Sequence, residues 1–596
     1  NKMVNGIVGN IKADLTPKLQ NAQDEQAIYE FLQNAADSQS TECAVIYNDT
    51  YFMVINNGKA FTEKDLKALL NSFQGTKADK TKEENCGKIG RYGIGFKLAY
   101  RLMGKSDGAE ELLRDLAGPL LFSWHNREQW QGLLDYKGTD LSLNDAIDTD
   151  VAPWLLKIIL ACFPTAPGEV VKDLDYQDQT LFDPAELTQL VAFLNEHQEQ
   201  LAGFSLEQGS LFFLRFGPKK HEKLQTSLLN IRSGIGYAMN TLKTLEKVAL
   251  QEDVIERYPT TLERYAILPG TADFERIDPE FPNCPIDISL GFPKSLEQML
   301  ALKKAPSLYQ FFPMRNERHN MAYFIHSSSF AKITARTRLD DQGEANVETF
   351  QYIHKALERS LKRLQQDDAQ RFCHYYQALL LTDRSTEYDA PLLNAHLYDP
   401  ILSYLKENIP TNKGNFYTKD LVIVKATQLP VEPMSLGIGK EWFHWAHPET
   451  DADSQRAAVN SAKLDLKKWG LKELVLEANL TLLNNLIQQL AEADYQQFVK
   501  ELKDVDIDPV LAERYAQLKA FKFTKQGGGA QFYALHDLQD QADLFLMSDR
   551  LLPIKEAIKG LCFSGLEFEV SDYAMILQQV KLPLDYLTKD SALFDK

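Results

Sequence analysis

The sequence predicts an α+β protein: an N-terminal α/β sandwich, a second α/β domain and a mainly helical C-terminal part. Three observations predict it. Between Ala27 and Lys97 a helical pattern, a hairpin pattern and a Gly-rich turn entering a helix follow one another. Between 218 and 366 strand-like and helical runs alternate again. From 367 to 510 apolar residues recur at helical spacing, and 511–596 mixes both patterns.

The first run is AIYEFLQNAADSQ. Ile28, Phe31, Leu32 and Ala35 form an apolar face that can pack on a sheet. Glu30 and Asn34 stand four apart, so they project from one face, a turn apart. Such a carboxylate can orient a water or take its proton. The amide oxygen suits Mg²⁺, a cation that prefers hard oxygen ligands. Alone, the pair is equally an ordinary polar helix face.

Next come Cys43–Tyr47 and Tyr51–Ile55, β-rich runs split by the turn signal Asn48-Asp49-Thr50. The second run ends in Asn56-Asn57-Gly58, where the backbone can turn sharply and approach a flat ligand. Then Gly90-Arg91-Tyr92-Gly93-Ile94-Gly95-Phe96-Lys97 places glycines before a helix, an arrangement that exposes backbone N–H groups to phosphates. Each of these also fits a plain turn.

Taken in this order, the three signals resemble the GHKL superfamily, which includes gyrase, the ninety-kilodalton heat-shock chaperone, histidine kinases and MutL. The likeness is nearest to the sacsin-type branch, through Asn56-Asn57-Gly58, Phe61-Thr62-Glu63-Lys64-Asp65 and the Gly-Arg-Tyr-Gly-Ile-Gly-Phe-Lys motif. The resemblance implies a Mg²⁺-dependent ATPase that works as a conformational switch. It implies Glu30 as the catalytic carboxylate and Asn34 as the Mg²⁺ ligand. ATP is expected to meet Asn34, Asp37, Asn56, Gly58, Gly90, Tyr92, Gly93, Ile94, Gly95, Phe96 and Lys97. The polar run Gln74–Asn85 matches the family's nucleotide lid, with Thr76 and Lys77 as phosphate contacts. Gly209-Ser210 resembles the last motif, normally Gly-Thr, with Ser210 closing the adenine pocket.

One departure stands out. The family carries Asp where this chain has Asn56, and that Asp accepts a hydrogen bond from the adenine amino group. Asn keeps one acceptor oxygen and adds two donors, which leaves nucleotide identity open.

The expected first domain spans 1–217, with a helical insertion at about 106–200 built on helices Pro153–Phe163 and Pro184–His197. A helix is expected at Asn10–Leu19. The second domain spans 218–366, with a turn at Gly234-Ile235-Gly236 and a strand at Ala322–His326. Its Phe311-Phe312-Pro313, Ser327–Phe330 and Arg336-Thr337-Arg338 resemble the segment that follows the ATP domain in sacsin-like proteins. In the related chaperone an Arg of that domain reaches the γ-phosphate, so Arg336 and Arg338 are the candidates, a forked and always charged donor being suited to that task. Helices are expected at Val347–Gln366, Arg371–Thr382, Leu392–Glu407, Ala452–Lys468, Leu471–Ala491 and Asp494–Lys503. His444 and His447 have no third ligand in view.

The formal net charge of −18 disfavours nonspecific nucleic-acid binding, which needs a basic footprint. Leu155–Cys162 is too short to cross a bilayer, and no secretory leader pattern opens the chain. Six scattered cysteines without a CxxC predict reduced thiols and a cytoplasmic setting. The chain opens on Asn1 rather than Met, the pattern of a piece of a longer protein. Expected partners are ATP and a protein client or partner subunit, with a homodimer as one form. A nucleotide-gated scaffold with little hydrolysis is the alternative, and a place in bacterial defence or stress machinery a third reading. No phosphoacceptor His precedes Glu30 on a dimerising helix, which disfavours a histidine kinase.

Overall fold

The computed structural model describes residues 24–62, 95–104, 118–137, 154–157, 184–242, 244–267, 274–276, 286–328, 344–387, 390–444, 463–503, 509–525 and 530–534, with 65, 330, 338–340, 505, 537 and 566–567. The helix expected at Asn10–Leu19 lies outside them.

The chain enters through α1 (Asp24–Asp37) and the hairpin β1 (Glu42–Tyr47) and β2 (Tyr51–Asn56). The hairpin turns where the Asn48 side-chain oxygen accepts from the N–H groups of Thr50 (2.9 Å) and Tyr51 (2.8 Å), the Asx turn that this residue type favours. Five more strands complete the first sheet: β3 (Leu120–Trp124), β4 (Trp154–Lys157), β5 (Gly209–Arg215), β6 (Lys247–Leu250) and β7 (Asp253–Glu256), in the order β4-β3-β5-β2-β1-β6-β7.

Both faces of this sheet are covered. Cys43, Val45, Phe52, Val54, Phe212 and Leu214 face a core shared with α1, with a 3₁₀ helix at Gly95–Leu102 and with α4 (Lys220–Ala238). Their alternates Ala44, Ile46, Met53, Ile55, Leu211 and Phe213 face a second core. This is why β1 and β2 read as continuous apolar runs instead of alternating ones.

The second core corrects the expected helical insertion. Its described parts are woven into the sheet, supplying β3 and β4, while α2 (Arg127–Leu134) and α3 (Pro184–Glu196) cover the second face through Trp130, Leu190 and Leu194. The helix expected from Pro153 begins as strand β4, with Leu156 opposite Leu121. Trp154-Leu155-Leu156-Lys157-Ile158-Ile159-Leu160 is so apolar that periodicity cannot tell helix from buried strand.

Two further expectations change after Gly217. The Gly234-Ile235-Gly236 stretch is no turn, since α4 runs through it. A Cβ at Gly234 would lie 2.8 Å from Pro313, and one at Gly236 would lie 2.6 Å from the Tyr258 ring. These glycines allow close packing inside a helix. The first sheet also continues past the expected boundary at Gly217, because β6 pairs in parallel with β1, Cys43 opposite Val248.

A second sheet follows: β8 (Thr260–Ile267), β9 (Phe274–Arg276), β10 (Ile286–Pro293), β11 (Leu308–Gln310), β12 (Phe312–Pro313) and β13 (Phe324–Ser327), in the order β12-β11-β13-β10-β8-β9. It carries α5 (Leu296–Leu302). Both sheets belong to one compact unit, residues 1–360 with 381–401. They share a core, since Leu302, Ala305, Tyr309 and Phe324 cluster with Ile28 and Phe31 of α1. The Tyr29 ring of α1 lies 4.5 Å from that of Phe312.

Helices α6 (Glu344–Asp367) and α7 (Ala369–Leu381) fall where helical spacing predicts them. The region 390–407 is helical too, as α8 (Ala390–Leu393), a π turn at Asn394–Tyr398 and α9 (Asp399–Glu407). The second compact unit comprises residues 361–380 and 402–596. Its core packs α10 (Leu471–Glu477), α11 (Leu480–Gln489), α12 (Glu492–Lys503) and α13 (Pro509–Ala516) through Val475, Ile487, Phe498 and Leu511. The expected helix Leu471–Ala491 breaks at Asn479, whose side chain accepts from Thr481 N–H and starts α11 anew. Short strands also occur where only helix was expected. Lys468-Trp469, placed at a helix end by the sequence, pairs in parallel with Val424-Lys425.

Candidate nucleotide site

Helix α1 carries three candidate residues in order. Glu30 is buried, and Asn34 and Asp37 are half-buried in the last turn. The helix closes when Ser38 N–H bonds to Asn34 O (2.9 Å) and Ser40 N–H to Ala35 O (2.9 Å), with Gln39 in the left-handed region at φ 65°. The chain then enters β1. The turn after β2 is welded to this helix end, because Lys59 N–H donates to Ser38 O at 2.8 Å.

Asn56, the last residue of β2, sits at the centre of a buried polar cluster. Its Oδ1 accepts from Ser40 Oγ (2.9 Å) and from Gly58 N–H (3.1 Å). Its Nδ2 donates to Ser210 Oγ at 3.1 Å. The backbone N–H of Gly58 can only donate, which fixes the amide orientation: the atom it faces is the oxygen. Ser210 stands opposite Asn56 across the β2–β5 pair, and Ser123 opposite Ser210 across β3–β5. Ser123 Oγ donates to Gly209 O (3.1 Å) and accepts from Phe61 N–H (2.9 Å).

Two glycines make this closeness possible. A Cβ at Gly58 would lie 2.1 Å from Ser38 Oγ and 2.4 Å from Ser40 Oγ. One at Gly209 would lie 2.3 Å from Asn56 O. Cys43, opposite Asn56 on β1, is buried, and burial pushes its thiol up to about 12. It therefore stays a neutral core residue at physiological pH.

The fold thus joins the end of α1, after Asn34 and Asp37, to Asn56, Gly58 and Ser210 at one end of the central strands, while Glu30 lies one turn before Asn34 on the same helix. The backbone of Gly95, Phe96 and Lys97 opens the 3₁₀ helix, which packs along α1. Thr76, Lys77, Gly90, Tyr92, Gly93 and Ile94 lie outside the described residues, as does Arg336. Arg338 is exposed, and the neighbouring Leu339 N–H is held by Glu317 of the second sheet's loops (2.6 Å). No described contact joins Arg338 to the Asn56 cluster. Sequence reading missed Ser38, Ser40 and Ser123. A Ser-x-Ser after a helix marks its end, but nothing local reveals that Ser40 reaches Asn56 sixteen residues on.

Residues 22–106 match the family described as Histidine kinase-, DNA gyrase B-, and HSP90-like ATPase. The matched stretch takes in α1, the hairpin and the Gly-rich turn, and it supports a GHKL-type ATP-binding domain here. No curated protein matches the chain.

Proposed function

We propose that the chain is a Mg²⁺-dependent ATPase of GHKL type that acts as a conformational switch, in the manner of sacsin and the heat-shock chaperone. One observation carries the reading: the end of α1 that bears Asn34, the Asn56–Gly58 turn and Ser210 are hydrogen-bonded together at one strand end, and all but Ser210 fall in the stretch 22–106 that the family model matches.

The residues divide the work. Asn56 and Ser210 meet the base at the closed end of the strands. Asn34 offers a neutral oxygen in the last turn of α1, engaged by no described side chain. That fits Mg²⁺, which binds through one or two protein oxygens together with phosphates and supplies charge neutralisation there. Glu30, one turn earlier, orients the attacking water and takes its proton. The Gly90–Gly95 turn, with Thr76, Lys77 and Lys97, receives the phosphates, and Arg336 or Arg338 reaches the terminal one.

The shared core supports a switch. Tyr29 precedes Glu30 and packs its ring at a tilt against Phe312, so a shift of α1 on nucleotide binding moves the edge of the second sheet. A partner subunit or client would read that movement. A scaffold that binds nucleotide and hardly hydrolyses it is the second reading, favoured by Asn56 standing where the family has Asp.

Phosphate release and calorimetric binding, compared between wild type and Glu30→Ala, separate these. Loss of release by roughly 10²- to 10⁴-fold with binding kept supports the ATPase, that being the usual worth of a general base. Binding without release in either protein supports the scaffold. No binding of ATP at millimolar concentration overturns both.

A further inference from the structure

The hydrogen-bond count around Asn56 bears on which base the site takes. An amide oxygen has two lone pairs, and both are used, by Ser40 Oγ–H and Gly58 N–H. Of the two amide hydrogens, one goes to Ser210 Oγ. Among the described residues, the second N–H and the Ser210 hydroxyl proton have no acceptor. The Asn56–Ser210 pair therefore offers a ligand one fixed donor and one hydroxyl that can donate or accept. A carboxylate at position 56 would offer acceptors instead.

The two purines differ at this edge. Adenine presents an acceptor ring nitrogen beside an amino donor. Guanine presents an oxo acceptor beside a ring N–H donor. A carboxylate accepts from the adenine amino group and faces the guanine oxo group acceptor to acceptor, an unpaired contact that costs affinity. An amide N–H meets the ring nitrogen of adenine, or the oxo group of guanine when the base docks one ring position over, and a rotating hydroxyl meets the neighbouring donor in either case.

We propose that the Asn56–Ser210 pair reads a purine edge without rejecting the 6-oxo group, so that the site takes guanine as well as adenine nucleoside triphosphates. The proposal rests on the nucleotide-site reading above and narrows its substrate class. Asn56→Asp is nearly isosteric and keeps every internal bond: Ser40 and Gly58 still donate to one oxygen, and Ser210 turns to donate to the other. It converts the pair to acceptors without disturbing the strand ends.

The test is calorimetric titration of wild type and Asn56→Asp with the Mg²⁺ complexes of ATP, GTP and CTP, with thermal melts to verify folding. In wild type, ATP and GTP are expected to bind within about tenfold of each other, and CTP, whose edge matches adenine's but whose single ring buries less apolar surface, at least about tenfold more weakly. Asn56→Asp is expected to move the ATP-to-GTP ratio toward ATP by about tenfold or more. A wild-type preference for ATP of about a hundredfold overturns the proposal and leaves the ATP site standing. An unchanged ratio in the variant, or CTP binding as well as ATP, also overturns it. Should Asn56→Asp fail to fold, Ser210→Ala replaces it: equal weakening of ATP and GTP supports a shared hydroxyl, and weakening of one alone overturns it. Binding of none of the three defeats the nucleotide-site reading itself.

Discussion

Two of the buried polar clusters in the first compact unit are built on opposite principles. At the strand ends, Asn56 gathers Ser40, Gly58 and Ser210, all neutral, and leaves an N–H and a hydroxyl proton without a described acceptor. Beside the second sheet, Glu317, His319 and Ser385 form a chain. Glu317 Oε2 lies 2.5 Å from His319 Nε2, and His319 Nδ1 lies 2.8 Å from Ser385 Oγ. Glu317 Oε1 accepts from Leu339 N–H, and Ser385 Oγ accepts from Glu387 N–H at 3.3 Å. By residue type the second cluster is the more catalytic in appearance, a serine, a histidine and a carboxylate in hydrogen-bond contact. Yet all three residues are buried, and each of their side-chain polar atoms already has a partner within the protein. Polar hydrogens without a described acceptor, more than residue identity, distinguish the proposed site from the buried chain.

If that distinction holds, the largest effect comes from cutting the closed cluster. Glu317→Ala removes the acceptor for both His319 Nε2–H and Leu339 N–H inside the protein, and it opens a cavity. Each buried donor left without its acceptor costs about 1–3 kcal/mol, and the cavity adds to that. Chemical denaturation of the first unit should show this loss. Glu317→Gln should recover most of it, because the amide oxygen still serves Leu339 and the histidine can change tautomer. A Glu317→Ala protein of wild-type stability would show that the chain is not a strut.

A smaller effect is expected where the open cluster is tightest. Gly58→Ala pushes a methyl group to within 2.1 Å of Ser38 Oγ and 2.4 Å of Ser40 Oγ. Both hydroxyls belong to short, well-placed loops, so the strain is about 1–3 kcal/mol, typical of overpacking. Nucleotide affinity should fall along with stability, since the same displacement pulls Ser40 from Asn56. Thermal melts with and without nucleotide measure both. An alanine variant that binds and melts as wild type does would mean that the turn relaxes without moving Asn56.

The contrast between clusters also shows what a sequence can reveal. The helix that carries Glu30 and Asn34 and the strand end at Asn56–Gly58 were readable because their patterns are local. The hairpin was readable from Asn48-Asp49-Thr50, whose side-chain bonds span only three residues. Ser210 was readable through its motif alone, its bond to Asn56 spanning 154 residues. Ser40 and Ser123 were not, since a serine's partner is set by tertiary packing. The same limit hid β4, whose apolar run has no distinguishing period, and the helix through Gly234 and Gly236, where glycine answers to Pro313 and Tyr258 from distant segments. The cover of the second sheet face was likewise invisible, because β1 and β2, whose residues share that core, lie far along the chain from α2 and α3.

The smallest stability effects make the sharpest version of the comparison, because one change can be made in both clusters. Ser385→Ala leaves His319 Nδ1 and Glu387 N–H without their partner, while Ser210→Ala leaves one Asn56 N–H without its acceptor. Each should cost about 1–2 kcal/mol of stability, the penalty for an orphaned buried polar group. Function should separate them. Ser210→Ala removes a group that the ligand would use, so nucleotide affinity should drop about tenfold, whereas Ser385→Ala should leave it unchanged once the protein is folded. Titration of both variants with ATP, at a temperature where both are folded, makes the comparison. Equal losses of affinity would place the Ser–His–Glu chain in communication with the strand ends, through the core that joins α1 to the second sheet. Loss confined to Ser385→Ala would reverse the assignment of site and strut.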